Sequence, residues 1–189
     1  MNANVGMVYP VAATVATYTP GSTLTYTGGS NFAEAVAATV NWDRADGHFY
    51  GDNVELDSEN GILGYTIDFD LSGLSDAARG LLLGETATSG EYEITDKAAP
   101  DVGFGYIRVM RNKGVVSYEA WWFRKLKFGV SSEETRTKER DIEWRVPTLN
   151  GVGSGVSLDS SGNLSFAIHK TYSSLNDAKS YLNGKAGIV

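Results

Sequence analysis

VGFGYIRVMRNKGVVSYEAWWFRKLKF, residues 102–128, predicts a long β-hairpin. Its first arm is Val102–Arg111, its second arm is Val115–Phe128, and Asn112-Lys113-Gly114 lies between them. Gly114 can adopt the positive φ that closes a short hairpin loop with a bulge. We therefore expect two long antiparallel strands at the centre of the fold.

The second arm alternates between apolar and polar residues. The apolar residues share one parity, which only Arg124 interrupts: Val116, Tyr118, Ala120, Trp122, Leu126 and Phe128. The polar residues share the other parity: Ser117, Glu119, Lys125 and Lys127. A period of two predicts a strand with one buried face. Trp121 and Trp122 then point to opposite faces, so one lies in the core and the other needs a second cover, for which another chain is one candidate.

Composition favours one mainly β domain over residues 1–189. The chain is long enough for one sizeable core, and its 42% hydrophobic and 21% charged residues are typical of a folded soluble domain. The 22 glycines and 10 tyrosines, with few predicted helices, favour the mainly β class. The net charge of −7 disfavours a nucleic-acid-binding surface, which needs a basic patch.

The absence of cysteine excludes disulfides, thiolate metal sites and a cysteine nucleophile. No run of residues is long and apolar enough to span a membrane, so no membrane association is predicted. The first residues lack a basic segment, so we expect no secretory signal and folding in a reducing cytoplasm.

Other segments give a coarse map of elements. Val5–Ala13 is predicted to be a strand, and residues 1–30 form a possible N-terminal arm in which Thr17–Gly29 is polar and flexible. A further strand buries one parity, which comprises Leu63, Tyr65, Ile67, Phe69 and Leu71, and exposes Thr66, Asp68 and Asp70. One short helix follows the cap Ser75 and ends at Gly84, and a second spans Ser174–Leu182 with Gly184 as its stop.

One acidic segment is a candidate for catalysis. Glu55-Leu56-Asp57-Ser58-Glu59 places three carboxylates on one face of a strand, a spacing that resembles the catalytic strand of jelly-roll β-glucanases. A β-sandwich glycoside hydrolase that uses Glu55 and Glu59 is therefore one alternative. The structural interpretation is an acidic strand end, and it is favoured because Ser58 replaces the expected apolar residue and Asn60-Gly61 predicts a turn.

No other motif predicts catalysis, a metal or a cofactor. His48 and His169 are the only histidines and lack metal-ligand spacing, and no nucleophile-elbow sequence supports a Ser-His-Asp triad. No phosphate-binding loop follows Gly103-Phe104-Gly105, so these glycines more simply admit a bulge or a close neighbour. A monomeric binding module that stacks a ligand on Trp121 or Trp122 is a further alternative.

The segment Ser131–Arg140 mixes charges of both signs and contains no apolar residue. It is either a solvated loop or a protruding loop that docks on a neighbouring chain. The candidate inter-subunit residues are Trp121, Glu133, Glu134, Arg136, Lys138 and Arg140.

The sequence resembles the major tail proteins of long, non-contractile-tailed bacteriophages (siphophages), which build the tail tube. The resemblance spans residues 35–149 in order. Its downstream part comprises Val102–Arg108, Gly114–Val116, Tyr118–Trp122, Lys125–Phe128, Ser131–Glu133, Thr137-Lys138, Glu143 and Val146–Leu149. Its upstream part comprises Phe49–Asn53, Leu74-Ser75 and Leu82–Gly84.

The resemblance implies a β-sandwich of the phage tail-tube type, with one flanking α-helix and a second short C-terminal helix. It implies a virion structural protein without catalysis or cofactor, assembled in the bacterial host cytoplasm. Six copies form a ring whose inner strands line a continuous lumen, and the rings stack into a tube. The implied partners are further copies of the chain, the tape measure protein, and the tail terminator and distal tail proteins, while double-stranded DNA passes through transiently.

An acidic lining suits such a conduit, because a basic lining would hold DNA through counterion release. We therefore expect Asp68, Asp70, Glu55 or Asp57 to face the lumen.

Overall fold

The computed structural model describes residues 3–32, 35–51, 54–59, 61–132 and 147–188. The first strands are β1 (Ala3–Thr19), β2 (Thr23–Asn31), β3 (Ala35–Arg44), β4 (Gly47–Gly51), β5 (Val54–Glu59) and β6 (Ile62–Leu71). Then come α1 (Asp76–Leu83), β7 (Thr86–Thr88), β8 (Glu91–Glu93), β9 (Val102–Asn112) and β10 (Val115–Ser132). The last elements are β11 (Thr148–Ser154), β12 (Val156–Ser157), β13 (Leu164–Ser165), β14 (Ala167–Tyr172) and α2 (Leu175–Ala186).

The protein is mainly β, with a large antiparallel sheet and two described helices, which confirms the predicted class of a β-sandwich with flanking helices. Eight strands form one antiparallel sheet in the order β2-β1-β9-β10-β11-β6-β3, and β14 also pairs with β10. Three two-stranded ribbons, β4–β5, β7–β8 and β12–β13, complete the described strands.

Strand β10 bends and passes from one half of the sheet to the other, and we call its bend the corner of the sheet. Its first part, Tyr118–Phe123, pairs with β14 on one side and with β9 on the other. Its later part, from Leu126, pairs with β11 instead. Between Phe123 and Leu126 the register with β9 shifts by one residue, so β10 carries a β-bulge there. The bulge lets one strand belong to both halves of the sandwich.

Two tyrosine hydroxyls hold the backbone of this corner. The Tyr26 hydroxyl on β2 donates to the carbonyl oxygen of Arg124 at 2.8 Å, and the Tyr65 hydroxyl on β6 donates to that of Lys125 at 3.1 Å. The Arg124 guanidinium also donates through Nε to the Ser165 hydroxyl at 2.7 Å. Bulge carbonyls that lose their ladder partner are thus satisfied by side chains.

Because of the bulge, one sequence prediction is wrong. Trp122, Leu126 and Phe128 were expected on a single face of the second arm. Leu126 and Phe128 lie in the main core, whereas Trp122 lies in a second cluster on the opposite face of the sheet. One extra residue reverses the alternation, because side chains on a strand change face at every residue.

The main core lies between the two halves of the sheet. It contains the inward residues of β6, namely Tyr65, Ile67, Phe69 and Leu71, as predicted. Phe104 of β9, Phe123 of β10 and the α1 residues Ala78 and Leu82 complete it from the other side. In the second cluster, α2 packs against β1, β9 and β10, on the side of the sheet that points away from the main core.

The glycines of β9 have the close neighbour that the sequence suggested. A Cβ on Gly103 would lie 2.4 Å from the Trp122 ring, and one on Gly105 would lie 2.7 Å from it. The Trp122 indole therefore lies flat enough on β9 that only glycine fits beneath it.

Three further predictions are wrong in detail. The hairpin loop has two residues, Lys113 and Gly114, both with positive φ (47° and 89°), and no bulge lies in it. Such a pair is the type I′ geometry that matches strand twist. The segment expected to be a flexible arm, Thr17–Gly29, forms the end of β1, a turn and most of β2. Leu63 is 61% exposed, because a register shift beside Asp43 interrupts the alternation of β6 there.

The helix predictions hold apart from one boundary. The Ser75 hydroxyl accepts from the Ala78 backbone N–H, and Gly84 ends α1 with a φ of 73°. The second helix continues past Gly184 and ends at Gly187, which has a φ of 68°. Ala186 is buried in the second cluster, so packing outweighs the cost of an exposed glycine inside the helix.

Candidate functional site: the outer face of strands β3, β6 and β11

One half of the sandwich, formed by the end of β10 with β11, β6 and β3, exposes its outer face. The described helices pack elsewhere, since α1 joins the main core and α2 covers the second cluster. Strand register places these residues on the outer face: Thr39, Asn41, Asp43, Thr66, Asp68, Asp70, Lys127, Thr148, Asn150 and Val152. All are exposed or half-buried. We call this set the outer face.

Two glycines let β11 pack closely against the core while its polar residues point outward. Gly151 and Gly153 point inward, and a Cβ on Gly153 would lie 2.0 Å from the Tyr65 ring. A Cβ on Gly151 would lie 2.8 Å from the Phe128 ring. Because β11 has no inward side chains at these positions, it lies directly over two large rings and keeps its polar residues outward.

The aspartates of β6 are held by the neighbouring strand. Asp68 pairs with Asn150 and Asp70 pairs with Thr148 in the register of β6 and β11. The Asn150 side-chain amide donates to Asp68 Oδ1 at 2.7 Å, and the Thr148 hydroxyl donates to Asp70 Oδ1 at 2.6 Å. Hydrogen bonds to a charged acceptor orient it as well as stabilise it. These bonds orient both carboxylates along the same strand pair.

The outer face is acidic. It carries the carboxylates of Asp43, Asp68 and Asp70 and the single ammonium group of Lys127. The remaining residues are small or neutral, and Val152, which is 60% exposed, is the only large apolar residue among them. Such a surface repels phosphate and offers little apolar area for adhesion.

Glu55 and Asp57, the other candidate lumen residues, lie on a different element. They belong to the β4–β5 ribbon, which is separate from the eight-stranded sheet. There Tyr50 pairs with Glu55 and Phe49 pairs with Asp57, so the register shifts by one residue between them. The prediction of three carboxylates on one face requires residues of β5 to alternate without a break. This register shift in the backbone breaks the alternation.

Trp121 and Trp122 do lie on opposite faces, as predicted. Trp122 is fully buried, so it offers no platform for a ligand. Trp121 is half-buried, and its own chain covers much of its ring. The His169 ring stacks on it at 4.5 Å between centroids, and the Arg108 guanidinium lies 5.0 Å from its centroid. The second cover that Trp121 needs thus comes partly from β9 and β14.

A polar cluster around Glu119 was not found from the sequence. The Glu119 carboxylate accepts from Trp121 Nε1 at 2.7 Å and lies 3.6 Å from the Arg108 guanidinium and 3.3 Å from His169 Nδ1. Burial raises the pKa of the adjacent Tyr106 hydroxyl. A two-residue hairpin loop puts Arg108 opposite Glu119, so the correct loop length would have predicted this pair.

The other candidate inter-subunit residues lie outside the described residues: Glu133, Glu134, Arg136, Lys138 and Arg140. Within the described ranges, no cluster of three or more histidine, aspartate or glutamate side chains is arranged to hold a metal ion. The two described helices are both too short or too polar to cross a membrane. A scan against protein-family models finds no match to this chain, and a search of curated proteins finds none either.

Proposed function

We propose that this chain is a virion structural protein that forms stacked hexameric rings, the tail tube of a siphophage. The tube assembles around a tape measure protein and conducts DNA at infection. One observation carries the proposal: an acidic, hydrogen-bonded sheet face, on which neither of the two described helices packs, ends at a long edge strand.

The outer face has the properties that a DNA conduit needs. Its three carboxylates repel the phosphate backbone, whereas lysines and arginines would retain DNA by releasing counterions. The bonds from Asn150 and Thr148 fix two of these carboxylates, so they do not swing toward a passing strand. We therefore assign Asp68 and Asp70 to the lumen wall.

The edge of the same half-sheet offers the seam between subunits. Strand β3 has ten residues and pairs with β6, and among the described strands it has no second partner. A long exposed edge invites pairing with another chain and is a hazard in a monomer. In a closed ring, the edge strand of one subunit pairs with the neighbouring subunit, so the exposed edge becomes the contact between subunits.

The remaining parts of the proposal come from the resemblance alone. The tape measure protein occupies the lumen before DNA does, and tail terminator and distal tail proteins close the two ends. The protein's location is then the virion, after assembly in the bacterial host cytoplasm.

A matched pair of lysine substitutions tests the seam. Val36 on β3 is 55% exposed and Leu164 on β13 is 54% exposed, so both tolerate lysine in the monomer. We expect the concentrated wild-type protein and Leu164→Lys to form rings or tubes in negative-stain micrographs, and Val36→Lys to remain monomeric.

Rings formed equally well by Val36→Lys would contradict a seam at β3. A ring reconstruction that places Asp68 and Asp70 on the outer wall would contradict the lumen assignment. A wild-type protein that stays monomeric at the highest concentration its solubility allows would argue against the tube itself.

A further inference from the structure

We propose that the exposed side of α2 in one copy binds the acidic β7–β8 ribbon of another copy through contacts between lysines and carboxylates. The inference rests on the proposed function, because it names a contact that would hold neighbouring copies together. Helix α2 and the outer face lie on opposite sides of the sandwich. In a tube lined by the outer face, this contact would therefore lie on the outside of the wall.

Three lysines and three tyrosines surround α2. Each ammonium group lies over the ring of a tyrosine, at these distances from the ring centroid: Lys170 over Tyr172 at 5.1 Å, Lys179 over Tyr9 at 5.0 Å and Lys185 over Tyr181 at 5.4 Å. Such cation–π contacts hold long side chains in place, so less conformational entropy is lost when a partner binds. We call these six residues the lysine–tyrosine surface.

The lysine–tyrosine surface is basic. Strand β14 and helix α2 together carry its three lysines and one carboxylate, that of Asp177. The neighbouring strands β1 and β2 contain no charged residue. Among the described residues, no carboxylate forms an ion pair with Lys170, Lys179 or Lys185. Their charges are therefore available to an acidic partner.

The β7–β8 ribbon has an acidic face. Thr86 pairs with Glu93 and Thr88 pairs with Glu91, so two carboxylates and two hydroxyls lie on the same face, and all four residues are exposed. Residues 86–96 contain three carboxylates and no basic residue. Among the described residues, neither Glu91 nor Glu93 forms an ion pair. We call these four residues the ribbon face.

The two surfaces are complementary in charge. The carboxylates of the ribbon face match the lysines around α2, and its threonine hydroxyls can donate to Asp177. Opposite charges of this kind steer two surfaces together. A phosphate backbone has no donor for Asp177 and would be repelled by it, so the pattern favours an acidic protein segment over a nucleic acid. The exposed residues of α2 between the lysines are small, which lets a ribbon lie close to the helix: Asn176, Ser180 and Gly184.

A molecule cannot make this contact with itself. Glu93 lines a cavity together with Leu83 of α1 and Phe128 of β10, and Phe128 belongs to the main core. The ribbon therefore lies on the main-core side of the sheet, whereas α2 packs on the other side. Because the two surfaces face opposite ways, one partner cannot occupy both. The contact is heterologous and extends from copy to copy.

Carbodiimide cross-linking tests the contact, because this reagent joins a lysine directly to a carboxylate that touches it. With the protein at the highest concentration its solubility allows, we expect linked copies whose digestion yields peptides that join Lys179 or Lys185 to Glu91 or Glu93. The variant Lys179→Glu/Lys185→Glu should give several-fold less linked protein.

The matched control is Lys113→Glu/Lys127→Glu, which makes the same change in net charge elsewhere. Lys113 lies in the β9–β10 turn and Lys127 lies on the outer face, so this variant should cross-link as the wild-type protein does. An equal loss of linked protein in this control would contradict a specific contact at α2.

An exchange of charges gives the decisive measurement. Glu91→Lys/Glu93→Lys and Lys179→Glu/Lys185→Glu should each give little linked protein alone, and a mixture of the two should regain it. Linked copies that persist in either variant alone would overturn the inference. Duplex DNA that binds the wild-type protein but not Lys179→Glu/Lys185→Glu, without linked copies, would identify a nucleic acid as the occupant and also overturn it.

Micrographs of the same samples separate this contact from the proposed function. Rings or tubes without these cross-links would overturn the inference and leave the proposed function standing. The expected cross-links in a protein that never forms rings would support the contact and contradict the hexameric tube.

Discussion

The two halves of the folded sheet differ in how many of their faces are covered. The half formed by β2, β1, β9 and the first part of β10 packs the main core on one face and α2 on the other. The half formed by the end of β10, β11, β6 and β3 packs the core on one face and exposes polar residues on the other. Six consecutive residues of β9, Val102–Ile107, are buried, whereas β6 alternates between buried and half-buried residues.

This difference separates stability from function. A strand with two covered faces has no free surface and contributes packing, so most substitutions there change the folded state. A strand with one uncovered face can change its outward residues without changing its core. We therefore expect large effects on stability in the covered half and effects on assembly in the uncovered half.

The largest effect is expected from the two tryptophans of β10. Trp122→Ala removes a fully buried indole from between α2 and the β9 glycines, and should lower the free energy of unfolding by about 3–5 kcal/mol. Trp121→Ala should cost less, because its ring is only half-buried. Urea denaturation followed by circular dichroism measures both. Equal costs would mean that the second cluster is not a true core.

A glycine pair on the two halves gives the next effect. A Cβ on Gly105 would lie 2.7 Å from the Trp121 carbonyl oxygen, a backbone atom that cannot rotate away. Gly105→Ala should therefore cost about 1–3 kcal/mol through overpacking. Gly129 lies on the later part of β10 with nothing within 4 Å of its Cβ position, so Gly129→Ala should change stability by about 0.5 kcal/mol or less. The same denaturation curves compare them.

The corner between the halves should be sensitive to high pH. Burial is the main cause that raises the pKa of Tyr26 and of Tyr65, whose hydroxyls hold the carbonyls of the bulge. Above about pH 10 the tyrosines of the unfolded chain lose their protons while these two keep theirs. The unfolded state then binds fewer protons than the folded state, so stability falls as pH rises from that point.

A phenylalanine pair checks this expectation. Tyr65→Phe loses one hydrogen bond, which should cost about 1 kcal/mol near neutral pH, but its stability should fall less steeply above about pH 10. Tyr92, which is 38% exposed, provides the control, and Tyr92→Phe should change stability near neutral pH by about 0.5 kcal/mol or less. An unchanged profile in Tyr65→Phe would show that the corner does not carry the alkaline sensitivity.

Parts of this architecture could be predicted from the sequence because local patterns determine them. The alternation over Tyr65–Leu71 predicts which face of β6 is buried, and with it the outward position of Asp68 and Asp70. The hairpin arms follow from their β-rich composition and the glycine between them, and the cap residue Ser75 predicts the start of α1.

Other parts depend on contacts that no local pattern contains. The bulge at Arg124-Lys125 is stabilised by tyrosines 98 and 60 residues away, so neither glycine nor proline marks it in the sequence. The same applies to β2, whose polar residues suggest an arm until β1 is known to pair with it.

The smallest effect on stability is expected on the outer face, and it tests the comparison most directly. Asp68→Asn combined with Asp70→Asn keeps oxygen acceptors for Asn150 and Thr148 while removing two of the three carboxylates. Each change should alter the free energy of unfolding by about 0.5 kcal/mol or less, as for surface positions elsewhere. If the face lines a lumen, tubes of this variant should still form but should bind duplex DNA more strongly at low salt than wild-type tubes do. A loss of more than about 2 kcal/mol would instead identify these half-buried carboxylates as part of the fold, since such costs mark buried hydrogen-bond networks rather than surface positions.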